Sequence, residues 1–138
     1  MRYLAIDHGQ KRTGLAVSDA SETLVSPHSV IETQSSVELL RRILPVIADE
    51  QIETIIIGLP YNMDGSEGPR AKQVRQFADQ LADKVEIPIL FYDERLSSFE
   101  AEGLMTEMEL TRKKKKKRLD AIAAAAILRA FLDSKAIQ

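Results

Sequence analysis

Three consecutive isoleucines at the centre of segment 52–58 (IETIIIG) place the strongest constraint on what this chain can fold into. A strand that is apolar on both sides needs a sheet whose two faces are both covered by other elements. A loop over 59–68 follows it, and then a helix that begins near Pro69, a favoured first helical position. The sequence therefore predicts an α/β architecture with helices on both faces of a sheet.

The other segments extend this pattern. Residues 2–7 alternate in polarity, and the short turn 9–12 joins them to a second strand over 13–18, which is typical of a hairpin. The order βββαβαβ, followed by helices, predicts a mixed five-stranded sheet with an antiparallel N-terminal hairpin, in a single domain over 1–138. The remaining predicted elements are a weaker strand over 24–31, a helix over 36–50, a buried strand over 87–92, a short helix over 97–106, a loop over 108–117 and a final helix.

Three acidic segments stand at places where an α/β sheet forms its sites. Asp7 ends the first strand, the Asp93–Glu94 pair follows a later strand, and Asp120 borders the apolar face of the final helix. Sites form at the carboxyl ends of parallel strands, so the topology can bring these acids together. Three carboxylates without a His or Cys cluster suit Mg²⁺ or Mn²⁺ rather than zinc. The alternative for Asp120 is a helix cap or a pair with a nearby lysine.

Seven consecutive basic residues precede the final helix. Without them the chain would hold 12 basic against 21 acidic residues, so the positive charge is concentrated in one segment of an acidic body. Cations at a helix N-terminus oppose the macrodipole, so helix stability does not explain their position, whereas binding of phosphates would. The alternative is a solvated loop with no partner. The segment consists of Arg112, Lys113, Lys114, Lys115, Lys116, Lys117 and Arg118.

Composition narrows the partners. The chain has no cysteine, which excludes disulfides, thiol nucleophiles and Cys-ligated zinc. It has no apolar run of the ~20 residues that a membrane span needs and no signal peptide, so we expect a soluble, cytoplasmic protein without a membrane partner. Aromatic residues make up 5% of the chain, which argues for recognition of a nucleic-acid backbone rather than stacking on single-stranded bases.

Four segments together resemble the YqgF (RuvX) family. They are DHGQKRTGLAVSD (7–19), GLPYNMDGSEGPRA (58–71), DERLSSFEAE (93–102) and RLDAIAAAAIL (118–128). Proteins of that family are described as Holliday junction resolvases and as nucleases that mature the 5′ end of pre-16S rRNA. The resemblance covers nearly the whole chain and implies an RNase H-like fold.

The resemblance also implies roles for the acids. Asp7 would be the central metal ligand, Glu94 the second and Asp120 the third, in a two-metal hydrolysis of a phosphodiester with Mg²⁺ or Mn²⁺. Our own hypothesis is that Asp7 bridges the ions. The family match favours Glu94 over Asp93, which strand alternation directs to the opposite side.

Several residues around the acids each have two alternative roles. Arg95 would hold a phosphate or pair with Asp93. Arg12, in the hairpin turn, would contact phosphate or stay solvated, and Gly9 and Gly14 are interpreted as turn residues. Asp64 and its neighbour Asn62 lie in a loop after a strand end, so they could face the site.

Three functions are compatible with the sequence. The first is a metal-dependent nuclease acting on structured nucleic acid, either an rRNA precursor or branched DNA. The second is an enzyme of another class, because a D-x-G run after the first strand also resembles the phosphate loop of actin-like ATPases and sugar kinases. Those proteins, however, have a second domain and a second such loop. The third is a nucleic-acid-binding module without catalysis. A resolvase would need a homodimer, whereas an rRNA-trimming enzyme could act as a monomer.

Overall fold

The computed structural model describes residues 1–97 and 112–137, and in the last helix it describes the side chains of residues 119–135. The elements are five strands and three helices, with a short 3-10 turn, Glu94–Leu96, after the last strand. The strands are Tyr3–Asp7 (β1), Arg12–Ser18 (β2), Val25–Glu32 (β3), Thr54–Leu59 (β4) and Ile89–Asp93 (β5), and the helices are Ser36–Asp49 (α1), Pro69–Ala82 (α2) and Arg112–Ile137 (α3).

The strands form one mixed sheet in the order β3-β2-β1-β4-β5. β2 lies antiparallel to both β1 and β3, whereas β4 lies parallel to β1 and to β5. The predicted mixed five-stranded sheet with an antiparallel N-terminal hairpin is therefore confirmed. Because β1, β4 and β5 are mutually parallel, their carboxyl ends lie along one edge of the sheet, where sites form in such folds.

Side-chain alternation along β4 explains why its isoleucines are all buried. Ile55 and Ile57 face α1 and α2, where they join Leu4, Ile43 and others in one core. Ile56 faces the opposite side and packs with residues of α3, including Ile127. Each of the three isoleucines is fully buried. The predicted coverage of both faces of the sheet is thus confirmed, with α1 and α2 on one face and α3 on the other.

Two predicted elements differ from the structure. The strand over 87–92 was expected to be buried, but β5 pairs only with β4, and its Leu90 and Phe91 are 44% and 37% exposed. The burial prediction is wrong because an apolar run by itself does not show whether its strand lies at the centre or the edge of a sheet.

The start of the last helix also differs. The loop was expected to extend to residue 117, but the backbone is helical from Arg112 onward, so the prediction of a loop is wrong for residues 112–117. Lysine and arginine are good helix formers, and here this propensity outweighs the unfavourable macrodipole. The predicted helix over 97–106 and the start of the loop lie outside the described residues from residue 98 onward. No helix within the described residues has the length and apolar character needed to cross a membrane.

Candidate active site

Asp7 and Glu94 meet at the carboxyl edge of the parallel strands. Asp7 is the last residue of β1 and Glu94 directly follows β5, and the two strands flank β4 on opposite sides. Gly58 of β4 lies between them: a β-carbon added there would stand 3.6 Å from Oε2 of Glu94 and only 2.6 Å from Cδ1 of Ile127. The missing side chain at Gly58 therefore leaves room for Ile127 of α3, and the Glu94 carboxylate lies in contact distance on the same face of the sheet.

The environment of Asp7 strongly disfavours a negative charge. Burial, followed by the negative charges of Glu94 and Asp120, raises the pKa of Asp7 from its ordinary 3.8 to about 8, and the positive charge of Arg70 opposes this only in part. The pKa of Glu94 is also raised, mainly by burial, although Arg70 and a hydrogen bond with Asp7 counteract the shift. The hydrogen bond between the two carboxyl groups raises the pKa of Asp7 and lowers that of Glu94.

Asp120 reaches the same edge from the other side of β1. It is the ninth residue of α3, and its backbone packs directly on Gly14 of β2, where an added β-carbon would lie 1.9 Å from the Asp120 carbonyl oxygen. Gly14 pairs with Asp7 across the β1–β2 ladder. Its interpretation as a turn residue is therefore wrong: it is a strand residue whose lack of a side chain lets the helix bring Asp120 towards Asp7.

The carboxylate of Asp120 is bound to an arginine. Nε of Arg12 donates to its Oδ2 at 2.8 Å. Burial raises the pKa of Asp120, and this hydrogen bond and the charge of Arg12 oppose the shift. Asp120 is not a helix cap, because α3 begins eight residues earlier, at Arg112. The solvated alternative for Arg12 is also wrong, since it forms this ion pair; contact of Arg12 with phosphate stays a prediction.

The donor set is suitable for a hard divalent cation, although it is not assembled. Among the residues that the structure describes, no three acidic, His or Cys side chains are arranged to hold a metal ion. Asp7 and Glu94 contact each other, whereas Asp120 is held by Arg12. The acids nevertheless offer half-buried oxygen ligands whose mutual repulsion a cation would relieve, and oxygen ligands are those that Mg²⁺ prefers. The ligand roles of Asp7, Glu94 and Asp120 stay predictions.

Asp93 and Arg95 form a separate pair. Nη2 of Arg95 lies 2.7 Å from Oδ2 of Asp93, and the guanidinium carbon stands 5.3 Å from the centre of the Tyr61 ring. The pKa of Asp93 is lowered by its hydrogen bond with Arg95. Of the two neighbouring acids, Glu94 is thus the one beside Asp7, and of the two alternatives for Arg95 the structure shows the ion pair. A role for Arg95 in binding nucleic acid stays a prediction.

The loop between β4 and α2 is held by its own side chains. Oδ1 of Asp64 accepts hydrogen bonds from the backbone N–H and the hydroxyl of Ser66, and Gly65 has a positive φ of 87°. Nη1 of Arg95 donates to the backbone carbonyl of Asn62 at 3.2 Å. Asp64 is exposed in this turn, which agrees with a turn signal at Asp64–Gly65 and gives no sign of a contact with Asp7 or Glu94.

Arg70 and His8 have roles at the site that were not predicted from the sequence. Nη2 of Arg70 donates to the backbone carbonyl of His8 at 2.8 Å, and its charge acts on both Asp7 and Glu94. The His8 ring packs on Phe77 with 4.8 Å between ring centroids. Burial, and then the charge of Arg70, lowers the pKa of His8 to about 4, so its ring is neutral at pH 7. The only available signal was the position of Arg70, in the first turn of the helix after β4.

Comparison with known proteins extends this description. A family model described as "RuvX: Holliday junction resolvase" matches residues 1–134. The chain is 40% identical to a protein of Roseiflexus sp. (strain RS-1) named "Putative pre-16S rRNA nuclease", over 97% of this chain and 95% of that protein. A protein of the same name from Caldanaerobacter subterraneus subsp. tengcongensis is 38% identical, over 98% of both chains.

Solved structures show the fold. The RuvC protein of T. thermophilus in complex with a Holliday junction substrate superposes with a TM-score of 0.63 at 16% identity, covering 99% of this chain and 96% of that one. The Fowlpox virus resolvase in complex with Holliday junction DNA gives 0.61 at 9% identity, over 98% and 99%. At these identities the likeness concerns the fold alone, and it confirms the predicted RNase H-like architecture.

Proposed function

The chain belongs to the RuvX family of Holliday junction resolvases, and on this premise we propose that it is a metal-dependent nuclease that hydrolyses phosphodiester bonds in structured nucleic acid. The observation that carries the proposal is the contact of two half-buried carboxyl groups, those of Asp7 and Glu94, at the carboxyl edge of the parallel strands. Burial, and then repulsion from Glu94 and Asp120, raises the pKa of Asp7 to about 8, a cost that makes little sense for a purely structural pair.

The proposed cofactor is Mg²⁺, with Mn²⁺ as a substitute, held by Asp7, Glu94 and Asp120. When bound, such ions supply Lewis-acid stabilisation of the phosphoryl oxygens and an activated water. Glu94 and Asp120 both act on the pKa of Asp7, so Asp7 would be the central ligand of the three. Arg70 lies near both Asp7 and Glu94 and limits their repulsion before any cation is present.

For Asp120 to act as a ligand, its carboxylate must exchange the guanidinium of Arg12 for the cation. The pair is partly exposed, with 38% of the Arg12 side chain accessible, so the exchange costs little. Arg12 then becomes free beside the site, where a phosphate of the substrate is a suitable partner. The proposed role of Arg12 in binding nucleic acid is therefore compatible with its ion pair in the free protein.

The basic segment 112–118 is proposed to bind the phosphate backbone. It belongs to the same helix as Asp120 and ends two residues before it, about 3 Å along the helix axis. A phosphate contact made by this segment would therefore be positioned relative to the acids by a continuous helix.

The substrate proposed first is the 5′ end of pre-16S rRNA, because the curated relatives at about 40% identity carry that name. An rRNA precursor as substrate would place the protein in the cytoplasm. The second candidate is a Holliday junction, which the description of the family favours. The two differ in assembly: symmetric cutting of a junction requires a homodimer, whereas trimming of an rRNA end is possible for a monomer.

One assay tests these proposals together. The purified chain is incubated with a 5′-extended 16S rRNA precursor and with a four-way DNA junction, each with Mg²⁺ and with a chelator. We expect cleavage of one substrate that needs the cation and is lost in Asp7→Asn and Glu94→Gln. Cleavage that persists in a folded Asp7→Asn variant, or in chelator, would contradict the proposed site. The mass of the protein in solution separates a monomer from a dimer.

A further inference from the structure

A cavity of about 450 Å³ opens on the face of the sheet opposite to the one that bears the Asp7 side chain. The residue that follows Asp7 in the chain belongs to its lining. It lies between the β1–β2 turn, the start of α1 and the exposed side of α2. Its volume falls within the ~300–1,000 Å³ of typical small-molecule sites. His8 lines it, and consecutive Cα atoms are about 3.8 Å apart, so the cavity begins directly beside the proposed active site.

The lining of this cavity has an unusual composition. The chain contains seven glutamines, and five of them line the cavity. Its charged lining residues are Lys11 and Arg70, and no acidic residue is found among the described residues that form it, although the chain as a whole carries a net charge of −2. The glutamines are Gln10, Gln34, Gln73, Gln76 and Gln80.

These features match one nucleotide rather than a small anion. A glutamine side chain offers both a donor and an acceptor, which is the combination that the edge of a nucleobase presents. The ring of His8 packs against Phe77 with 4.8 Å between ring centroids and adds an aromatic surface on which a base can stack. Lys11 and Arg70 supply the positive charge that a flanking phosphate requires.

We propose that this cavity is a subsite that holds one nucleotide of the substrate strand next to the bond that is cut. The inference rests on the proposed nuclease function and adds to it a place where the base is recognised. A strand whose scissile phosphate lies at Asp7 and Glu94 continues over the edge of the sheet, past Arg70, and places its neighbouring nucleotide against the glutamines of α2.

Matched variants test the subsite. Ser36 lines the cavity in the first turn of α1, whereas the adjacent Val37 is 75% exposed and does not line it. Ser36→Phe fills the cavity, and Val37→Phe adds the same side chain outside it. A second pair changes charge: Gln80→Glu places a negative charge in the lining, and Gln51→Glu makes the same change at the opposite edge of the sheet, near the start of β4.

The readout is the affinity for fluorescently labelled single-stranded dodecamers of each base, as RNA and as DNA, measured in chelator so that no cleavage is required. We expect the wild type to prefer some bases, and Ser36→Phe and Gln80→Glu to bind the preferred dodecamer about tenfold more weakly, since one stacked base contributes ~1–3 kcal/mol. We also expect both to lose that preference. Val37→Phe and Gln51→Glu should stay within about twofold of the wild type.

Two results would overturn the subsite. One is unchanged affinity and base preference in Ser36→Phe and Gln80→Glu, with circular dichroism showing that both are folded. The other is a wild type that binds none of the dodecamers. Neither bears on the nuclease proposal, which is decided by the Mg²⁺-dependent cleavage assay and its loss in Asp7→Asn.

Discussion

Replacing Asp7 by asparagine should make the cation-free protein more stable while abolishing its activity. Asparagine has nearly the shape of a protonated aspartic acid, and its amide can donate the hydrogen bond that Asp7 makes to Glu94. It does so without having to take up a proton. A residue that costs stability in the absence of its ligand is typical of a site built for function rather than for folding.

The magnitude follows from the pKa of Asp7. Burial, Glu94 and Asp120 raise this pKa from 3.8 to about 8. The pKa of Asp7 is higher in the folded than in the unfolded state, so the folded protein is favoured when Asp7 is protonated. This contribution to the free energy of unfolding is fully present below pH 3.8 and is lost as the pH rises through about 8. Each pH unit in this window is worth about 1.4 kcal/mol, which gives an upper limit of about 6 kcal/mol for the whole shift. Since Glu94 shares the proton, we expect about 2–4 kcal/mol.

The assay is urea unfolding in chelator, near the lower and near the upper end of that pH window. The free energies of unfolding of Asp7→Asn and wild type should nearly coincide near pH 4 and should differ by about 2–4 kcal/mol near pH 8, the variant being more stable. Asp133→Asn is the control, because the Asp133 side chain is 67% exposed, and it should differ from the wild type by less than about 0.5 kcal/mol at either pH.

Addition of Mg²⁺ provides a second test of the same reasoning. A cation that binds only the folded state should stabilise the wild type and leave Asp7→Asn almost unchanged. The difference between their free energies of unfolding near pH 8 should therefore become smaller. The reasoning is refuted if Asp7→Asn is folded but no more stable than the wild type in chelator near pH 8, because the carboxylate pair then carries no strain.

Three further predictions concern the surroundings of the site. Gly14→Ala would place a β-carbon 1.9 Å from the Asp120 carbonyl oxygen, so we expect thermal unfolding to show a loss of about 3 kcal/mol or more, whereas Gly65→Ala, in open space at φ 87°, should lose only about 1 kcal/mol. Arg12→Ala removes a partly exposed ion pair and should lower the free energy of unfolding in chelator by at most about 1 kcal/mol; a larger loss would show that the pair holds α3 in place. Changing residues 113–117 to glutamine should weaken nucleic-acid binding and flatten its salt dependence by roughly 0.7–0.9 in slope per lost phosphate contact, without changing stabilisation by Mg²⁺; an unchanged slope would mean that the segment is only solvated.

The elements of the fold were predictable where the residue pattern leaves one solution. The isoleucines of β4 are apolar on both sides, which is stable only at the centre of a covered sheet, and the structure has them there. The same reasoning fails for β5, which is an edge strand with only β4 beside it. The apolar run 87–92 does not show whether a strand has one neighbour or two. The start of α3 was misjudged because macrodipole and propensity act in opposite directions on the basic segment, and the pattern does not show which effect is larger.

By itself the sequence determined the classes of elements, the acids at their ends and the concentration of positive charge, because these depend on local periodicity and composition. Only the tertiary structure decided which groups meet. Asp7 contacts Glu94 through strand order, Asp120 approaches over Gly14 and is held by Arg12, and Arg70 reaches the acids from α2. These contacts join residues up to 108 positions apart in the chain. Electrostatic interactions depend on distance in space, and the pKa of Asp7 therefore exists only once the sheet has formed.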